Sequence, residues 1–164
     1  MCWCEIREWL QTGATLAAAV GVWFAWRQIQ LTKEQAQAAF EEGFNSRYRE
    51  IVRSIPVEAL MGEPVAPSVL QARLEFFYQY MDLTNEEIRL RRDGRISDST
   101  WKEWEEGIRG ALSHPGFREG WIEIRDRAKD SFGELRDFES RGFRGDPRTW
   151  PRDHRAREAA STAA

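Results

Sequence analysis

Histidine and cysteine, the side chains that most often act as nucleophiles, general bases and transition-metal ligands, are scarce in this sequence. The chain contains two histidines, His114 and His154, and two cysteines, Cys2 and Cys4. Catalysis by these groups needs a partner side chain within hydrogen-bond reach, and a structural zinc site needs about four ligands. The Glu-x-x-His pairs of a helical di-iron site do not occur. We therefore expect no catalytic residues, no metal ligands and no cofactor, and we interpret His114 as a helix-end residue beside Pro115.

Acidic residues cluster at three places where carboxylates could act as acids or bases. The clusters are Glu41/Glu42, Glu86/Glu87 and Glu103/Glu105/Glu106. We interpret them as the solvent-exposed faces of helices whose opposite faces are apolar. An enzyme that uses only carboxylates and arginines stays an alternative, which a buried acidic pair in a pocket would favour. No phosphate-binding loop or dinucleotide fingerprint is present.

An uncharged run from Trp9 to Trp26 follows an N-terminal flank of residues 1–8. As a helix it would be about 27 Å long, close to the ~30 Å hydrocarbon core of a bilayer. Trp9 at one end, and Trp23, Trp26 and Arg27 at the other, suit the two membrane interfaces. The run therefore predicts a transmembrane helix over residues 9–26. The alternative is a helix buried in a soluble core, because three polar residues weaken the hydrophobicity: Gln11, Thr12 and Thr15.

Small residues recur every four positions within this run, at Gly13, Ala17, Gly21 and Ala25. On a helix they form a smooth stripe that another helix can approach closely. We interpret the stripe as a packing face for a second copy or for another membrane protein. The alternative is that an alanine-rich segment produces such spacing by chance.

The charges that flank the run predict its orientation. Arg27 and Lys33 follow it, whereas Arg7 is the one basic residue before it. Because positive residues favour the cytoplasmic side, we expect the N-terminus outside and the following domain in the cytoplasm.

Residues 27–141 are predicted to form a helical domain. Apolar residues recur there at spacings of three and four, and no segment alternates with period two. Four helical segments are predicted to end at Pro56, Gly94, His114 and Gly142, each at a residue that terminates helices. The predicted fold class is all-α, with one N-terminal transmembrane helix that continues into a small helical bundle.

Residues 142–164 are predicted to be a disordered basic tail. Residues 141–164 contain six arginines and three acidic residues and lack an apolar period. Anionic lipid is a simpler partner for this tail than nucleic acid. Trp150 in the tail and Trp3 in the flank lie outside every apolar stripe. We interpret both as candidate partner contacts, with scattered surface aromatics as the alternative.

The segment from Gly94 to Phe138 resembles a family of uncharacterised bacterial membrane proteins. The resemblance is carried by Gly94, Ile96, Asp98, Trp101, Trp104, Gly116, Trp121 and the Phe132–Phe138 region, with a weaker likeness in the uncharged run and in LEFFYQYM. In that family a single N-terminal span precedes a helical domain of unknown function. The resemblance implies a bacterial inner membrane and a helical fold, and it implies no reaction.

These observations favour a non-enzymatic accessory or scaffold subunit of a larger membrane complex, such as a respiratory, photosynthetic or secretion complex. The expected partners are the lipid bilayer and either other subunits or a second copy of the chain. We expect no nucleic acid and no small-molecule substrate. The alternative function is a self-associating, membrane-tethered regulator or a stress or defence effector.

Overall fold

The computed structural model describes residues 3–151, and the side chains of residues 3–20 and of residue 34 lie outside the described part. The chain divides into two compact units, residues 1–40 and residues 41–164. Helix α1, Trp3–Val52, contributes to both units. It continues through the predicted boundary at Arg27 without a break, as the sequence predicted, and it ends four residues before Pro56.

Within residues 3–151 every regular element is helical, so the all-α prediction is confirmed. The helices after α1 are α2 Val57–Leu60, α3 Pro67–Ala72, α4 Leu74–Arg92, α5 Asp98–Ser113, α6 Pro115–Arg127, α7 Gly133–Ser140 and a 3-10 turn, Pro147–Thr149. No helix among the described residues is both long enough and apolar enough to cross a membrane. The polar residues Gln11, Thr12 and Thr15 lower the hydropathy of the predicted span over residues 9–26.

Helix α4 is the centre of the second unit. It contacts α3, α6, α7 and the 3-10 turn. Three of its apolar side chains, Phe77, Met81 and Ile88, are completely buried. Burial of side chains of this size stabilises a fold by roughly 1.5–3 kcal/mol each. The apolar residues that recur here at spacings of three and four, as the sequence predicted, therefore form the core of the domain.

Local signals in the sequence set several helix ends. The Ser97 hydroxyl accepts a hydrogen bond from the Thr100 backbone N–H at 3.2 Å and caps α5. Pro115 occupies the first turn of α6, where a missing N–H costs nothing. The last helix was predicted to run unbroken from Phe117 to Gly142. It is instead interrupted, because Phe132 adopts a left-handed conformation with a φ of 62° between α6 and α7.

Residues 142–151 are part of the folded domain, contrary to the prediction of a disordered tail from residue 142. Asp146 caps the 3-10 turn by accepting a hydrogen bond from the Arg148 N–H at 3.0 Å. Trp150 was expected to be exposed, yet it is buried, with its ring centroid 6.0 Å from that of Phe138. The Arg141 guanidinium lies 4.8 Å from the Trp150 ring centroid and covers it. Trp150 is therefore a core residue, and the remaining tail residues lie outside the described part.

Candidate functional sites

The first candidate site is a stretch of large apolar side chains in the first unit, which we call the apolar segment. It comprises Val22, Trp23, Phe24, Trp26, Ile29 and Leu31. Their exposed fractions run from 48% at Leu31 to 71% at Val22. Single exposed apolar residues are ordinary on soluble proteins, but a contiguous patch marks an interaction surface.

The residues predicted to face the membrane or a packing partner fall partly in this segment. Arg27 lies 5.8 Å from the Trp23 ring centroid, which keeps the cation beside the aromatic ring. Gly21 and Ala25 are exposed, and a Cβ added at Gly21 would meet no atom within 4 Å. The remaining predicted residues of this group have side chains outside the described part: Trp3, Trp9, Gly13 and Ala17.

The second candidate site is a cavity of about 210 Å³ in the second unit. Three helices form it: the C-terminal part of α1, the middle of α4 and the middle of α5. Its lining comprises Asn45, Tyr48, Tyr80, Glu87, Glu103, Trp104, Gly107 and Ile108. The chain has 24 lysine and arginine residues, but the cavity has two acidic residues and no basic one in its wall. Its charge is therefore negative whenever these carboxylates are ionised.

Glu87 is the buried acid of this cavity, with 7% of its surface exposed. Across the described residues, no hydrogen bond or ion pair reaches its carboxylate. Desolvation by burial raises the pKa of Glu87 to about 8. A carboxyl group that is buried without a counter-charge favours its neutral form, because burial penalises the ion.

Aromatic rings form most of the wall around Glu87. The ring centroids of Tyr48 and Tyr80 are 6.2 Å apart, and Tyr80 is buried. Burial and, secondarily, the charge of Glu87 raise the pKa of both phenols. The Trp104 indole N–H donates a hydrogen bond to the Asn45 side-chain oxygen at 3.3 Å, which holds the third aromatic ring in place.

A buried arginine lies one helical turn farther along α4. Arg91 donates from Nε and Nη2 to the two carboxylate oxygens of Asp146 at 2.9 and 2.6 Å, and from Nη1 to the Ile96 carbonyl at 2.7 Å. Its Nη2 also donates to Asp98 at 2.8 Å. Burial alone would raise the pKa of Asp146, but the hydrogen bonds from Arg91 and Arg148 outweigh it and hold that pKa well below its usual range. We call this group the Arg91 cluster.

The structure corrects the interpretation of the acidic clusters as solvent-exposed faces. Glu87 is buried although its neighbour Glu86 is partly exposed and pairs with Arg89. Glu41 is partly buried and accepts hydrogen bonds from the Ser97 N–H at 2.9 Å and the Thr100 hydroxyl at 2.5 Å. The sequence contained an indication that Glu87 is buried. Tyr80, Thr84, Glu87 and Arg91 follow one another at helical spacing and therefore lie on the same, buried face of α4.

His114 separates α5 from α6 through its backbone, as the sequence predicted, without a capping bond from its side chain. Its carbonyl accepts the Arg118 N–H at 3.0 Å. Among the described residues, no group of three or more His, Cys, Asp or Glu side chains is arranged to hold a metal ion.

Neither the family models, nor the curated proteins, nor the solved structures with which the chain was compared match it. The resemblance to bacterial single-pass membrane proteins therefore stays a prediction.

Proposed function

We propose that this protein is a non-enzymatic, membrane-anchored accessory subunit that holds its helical domain at the surface of a larger membrane complex. The observation that carries the proposal is the exposure of the apolar segment. Val22, Phe24 and Trp26 are each more than half exposed, although they lie within five positions of one another. A helix that is apolar on all its sides needs an apolar environment around it.

Lipid is the environment that this segment suits best. Trp23, Trp26 and Arg27 lie together at its centre, and such residues are typical of the boundary between hydrocarbon and head groups. An uncharged run of 18 residues that falls short of the hydrocarbon thickness can still insert when the bilayer thins locally and flanking cations extend to the head groups. The positive charges at Arg27 and Lys33 favour a cytoplasmic domain at a bacterial inner membrane.

The scaffold role is supported by the buried arginine of the domain, whose hydrogen bonds are made within the chain. Arg91, its most deeply buried cation, makes four hydrogen bonds within the chain and keeps at most one N–H for another molecule. The contacts of the Arg91 cluster join α4, the start of α5 and the 3-10 turn. We interpret this cluster as a structural support for the fold.

Flotation of the full chain with phospholipid vesicles tests the anchor. Val22→Asp places a charge in the apolar segment near the predicted interface, so its cost should be smaller than the about 2.5–3.5 kcal/mol of a charge at the centre of an inserted helix, and we expect about a tenfold loss of partitioning. Met61→Asp is the matched control, because Met61 is 69% exposed and Val22 71%. Equal flotation of the two variants and the wild type would contradict the proposal.

Purification in a mild detergent from the native membrane tests the accessory role. We expect other membrane proteins to co-purify in fixed stoichiometry with the wild type and to be lost from Val22→Asp. Recovery of the chain alone over a series of decreasing detergent concentrations would contradict this part of the proposal.

Self-association is the second candidate function, and the exposed small residues Gly21 and Ala25 of the predicted packing stripe favour it. Gly21→Leu should fold normally and prevent close helix contact, whereas Gly43→Leu on the same helix is the control, since an added Cβ there also meets no atom within 4 Å. Loss of crosslinked dimers in Gly21→Leu alone would favour a second copy as the partner. Dimers that persist in both variants would remove this alternative.

A further inference from the structure

The cavity around Glu87 carries an inference that is independent of the membrane anchor. We propose that it binds a small organic ammonium ion, with the Glu87 carboxylate as counter-ion and three aromatic side chains as walls. The proposal concerns a ligand that is bound, with no bond made or broken.

The first argument is the charge of the cavity. Glu87 is buried at its wall, and Glu103 lies at its exposed side. An ionised carboxylate in such a position needs a compensating charge. Among the described residues the domain supplies none, because the nearest buried cation along the helix, Arg91, is paired with Asp98 and Asp146. A cation from solution can supply it.

The second argument is the chemistry of the walls. Tyr48, Tyr80 and Trp104 line the same cavity as Glu87. Tyrosine and tryptophan rings attract cations through their negative faces, and aromatic cages of this kind recognise alkylated ammonium groups. Metal ions instead favour several oxygen, nitrogen or sulfur ligands. The combination of one buried carboxylate with three aromatic rings therefore favours an organic cation.

The third argument is size. Ligand pockets for drug-sized molecules measure about 300–1,000 Å³, and this cavity measures about 210 Å³. It is large enough for a cation of a few carbon atoms and too small for a large cofactor.

Calorimetric titration of the full chain with choline tests the proposal, with methylammonium as a smaller cation. A maltoside detergent is used where one is needed, because phosphocholine detergents carry the head group of the probe. The control ligand is 3,3-dimethylbutan-1-ol, which has the shape of choline without its charge. We expect choline or methylammonium to bind at least tenfold more tightly than the neutral alcohol. Equal binding of the alcohol, or no binding of either cation up to about 10 mM at pH 9, would overturn the proposal.

Two variants of neighbouring carboxylates identify the counter-ion. Glu87→Gln should weaken cation binding by at least tenfold, since the negative charge that attracts the cation is lost. Glu86→Gln is the matched control, because Glu86 pairs with Arg89 and does not line the cavity. Circular dichroism of both variants checks that they are folded. Unchanged affinity in folded Glu87→Gln would overturn the proposal.

The pH profile gives a readout that a purely structural Glu87 would not produce. Because burial raises the pKa of Glu87 to about 8, the cation competes with a proton below that pH. The other ionisable groups that line the cavity are Tyr48, Tyr80 and Glu103. The pKa of each tyrosine is raised, so neither phenol ionises in the window from pH 6 to 8. As the pH rises towards 8, the affinity for choline should increase by up to about tenfold per pH unit, and above pH 8 it should stay constant. An affinity that is constant from pH 6 to 9 would contradict the assignment.

A free amine and a lipid head group share the ammonium chemistry, and one more ligand separates them. Glycerophosphocholine carries the choline head group with its phosphodiester. Binding as tight as that of choline would identify a lipid head group as the source, and binding at least tenfold weaker would identify a free cation. Both results support an ammonium site, whereas glycerophosphocholine that binds equally well to wild type and Glu87→Gln would overturn it.

Discussion

Glu87 and Arg91 are both ionisable, buried and one helical turn apart on α4, yet their surroundings differ. A glutamate four residues before an arginine is the favourable order for an ion pair along a helix. Arg91 instead pairs with Asp98 and Asp146, at 2.8 and 2.6 Å. Glu87 receives no ion pair from any described residue and faces the cavity. Arg91 is thus compensated by carboxylates of the chain, whereas a partner for ionised Glu87 would have to come from a bound ligand.

The difference separates a structural site from a binding site. A buried charge with good partners contributes to a unique packing, and a buried charge without a partner lowers stability. Proteins tolerate such a cost mainly where binding or chemistry needs the group. On this reasoning, neutralising the two side chains should change stability in opposite directions.

Replacement of Arg91 by methionine should have the largest effect. The change leaves Asp146 partly buried with Arg148 as its remaining partner. Breaking a buried pair costs about 3–5 kcal/mol, so we expect a loss near the lower end of that range. Urea unfolding of the full chain, followed by circular dichroism, measures the loss. Arg89→Met is the control, because the side chains of Arg89 and its partner Glu86 are 54% and 30% exposed, and such pairs contribute about 1 kcal/mol or less. Similar losses in the two variants would show that the Arg91 cluster is not a structural support.

Glu87→Gln should have a smaller effect of the opposite sign. The folded-state pKa of about 8 lies above the ordinary 4.5, so ionisation favours the unfolded chain increasingly as the pH rises from 4.5 to 8. Glutamine removes that penalty but stays buried, and its amide lacks a partner. We therefore expect a gain of about 1–3 kcal/mol at pH 8 and none near pH 4. A loss of stability at pH 8 would indicate that the Glu87 carboxylate has a stabilising role within the chain.

Periodicity and terminating residues predicted much of the helical layout, but they could not predict the Glu87 cavity. The Ser97 cap, the end of α1 before Pro56 and the start of α6 at Pro115 follow from interactions within a few residues. The cavity is a volume that three distant helices leave unfilled. Helical spacing shows that Glu87 shares a face with Tyr80, but not whether a neighbouring helix supplies a positive charge.

The fold of residues 142–151 was missed for a related reason. Asp146-Pro147 is a turn-initiating pair and was the one local signal that the chain remained ordered there. What fixes the segment is the contact of Asp146 with Arg91, 55 residues away in sequence. Composition could not reveal this partner, because an arginine-rich segment has the composition of a disordered tail whether or not its acidic residue pairs with a distant arginine.

Within the Arg91 cluster, the two carboxylates should contribute unequally, and this is the smallest difference that we expect to measure. The Asp98 side chain is 78% exposed, whereas that of Asp146 is 26% exposed and accepts two hydrogen bonds from Arg91. The hydrogen bond from Arg91 and the charges of Arg148 and Arg91 lower the pKa of Asp98.

Asp98→Asn should therefore lower the urea midpoint at pH 7 less than Asp146→Asn. Both pKa values are lower in the folded state than in the unfolded chain, so the stability from both residues is fully present above about pH 4 and decreases as the pH falls below it towards the lowered folded-state pKa values. The stability difference between each variant and the wild type should accordingly begin to decrease as urea unfolding is repeated from pH 5 down to pH 3, without reaching zero for Asp146→Asn. An Asp98→Asn loss as large as that of Asp146→Asn would mean that solvent does not weaken the outer carboxylate. Asp98 and Asp146 would then stabilise the buried charge of Arg91 equally. The C-terminal segment that carries Asp146 would contribute less to this stabilisation than its two hydrogen bonds indicate.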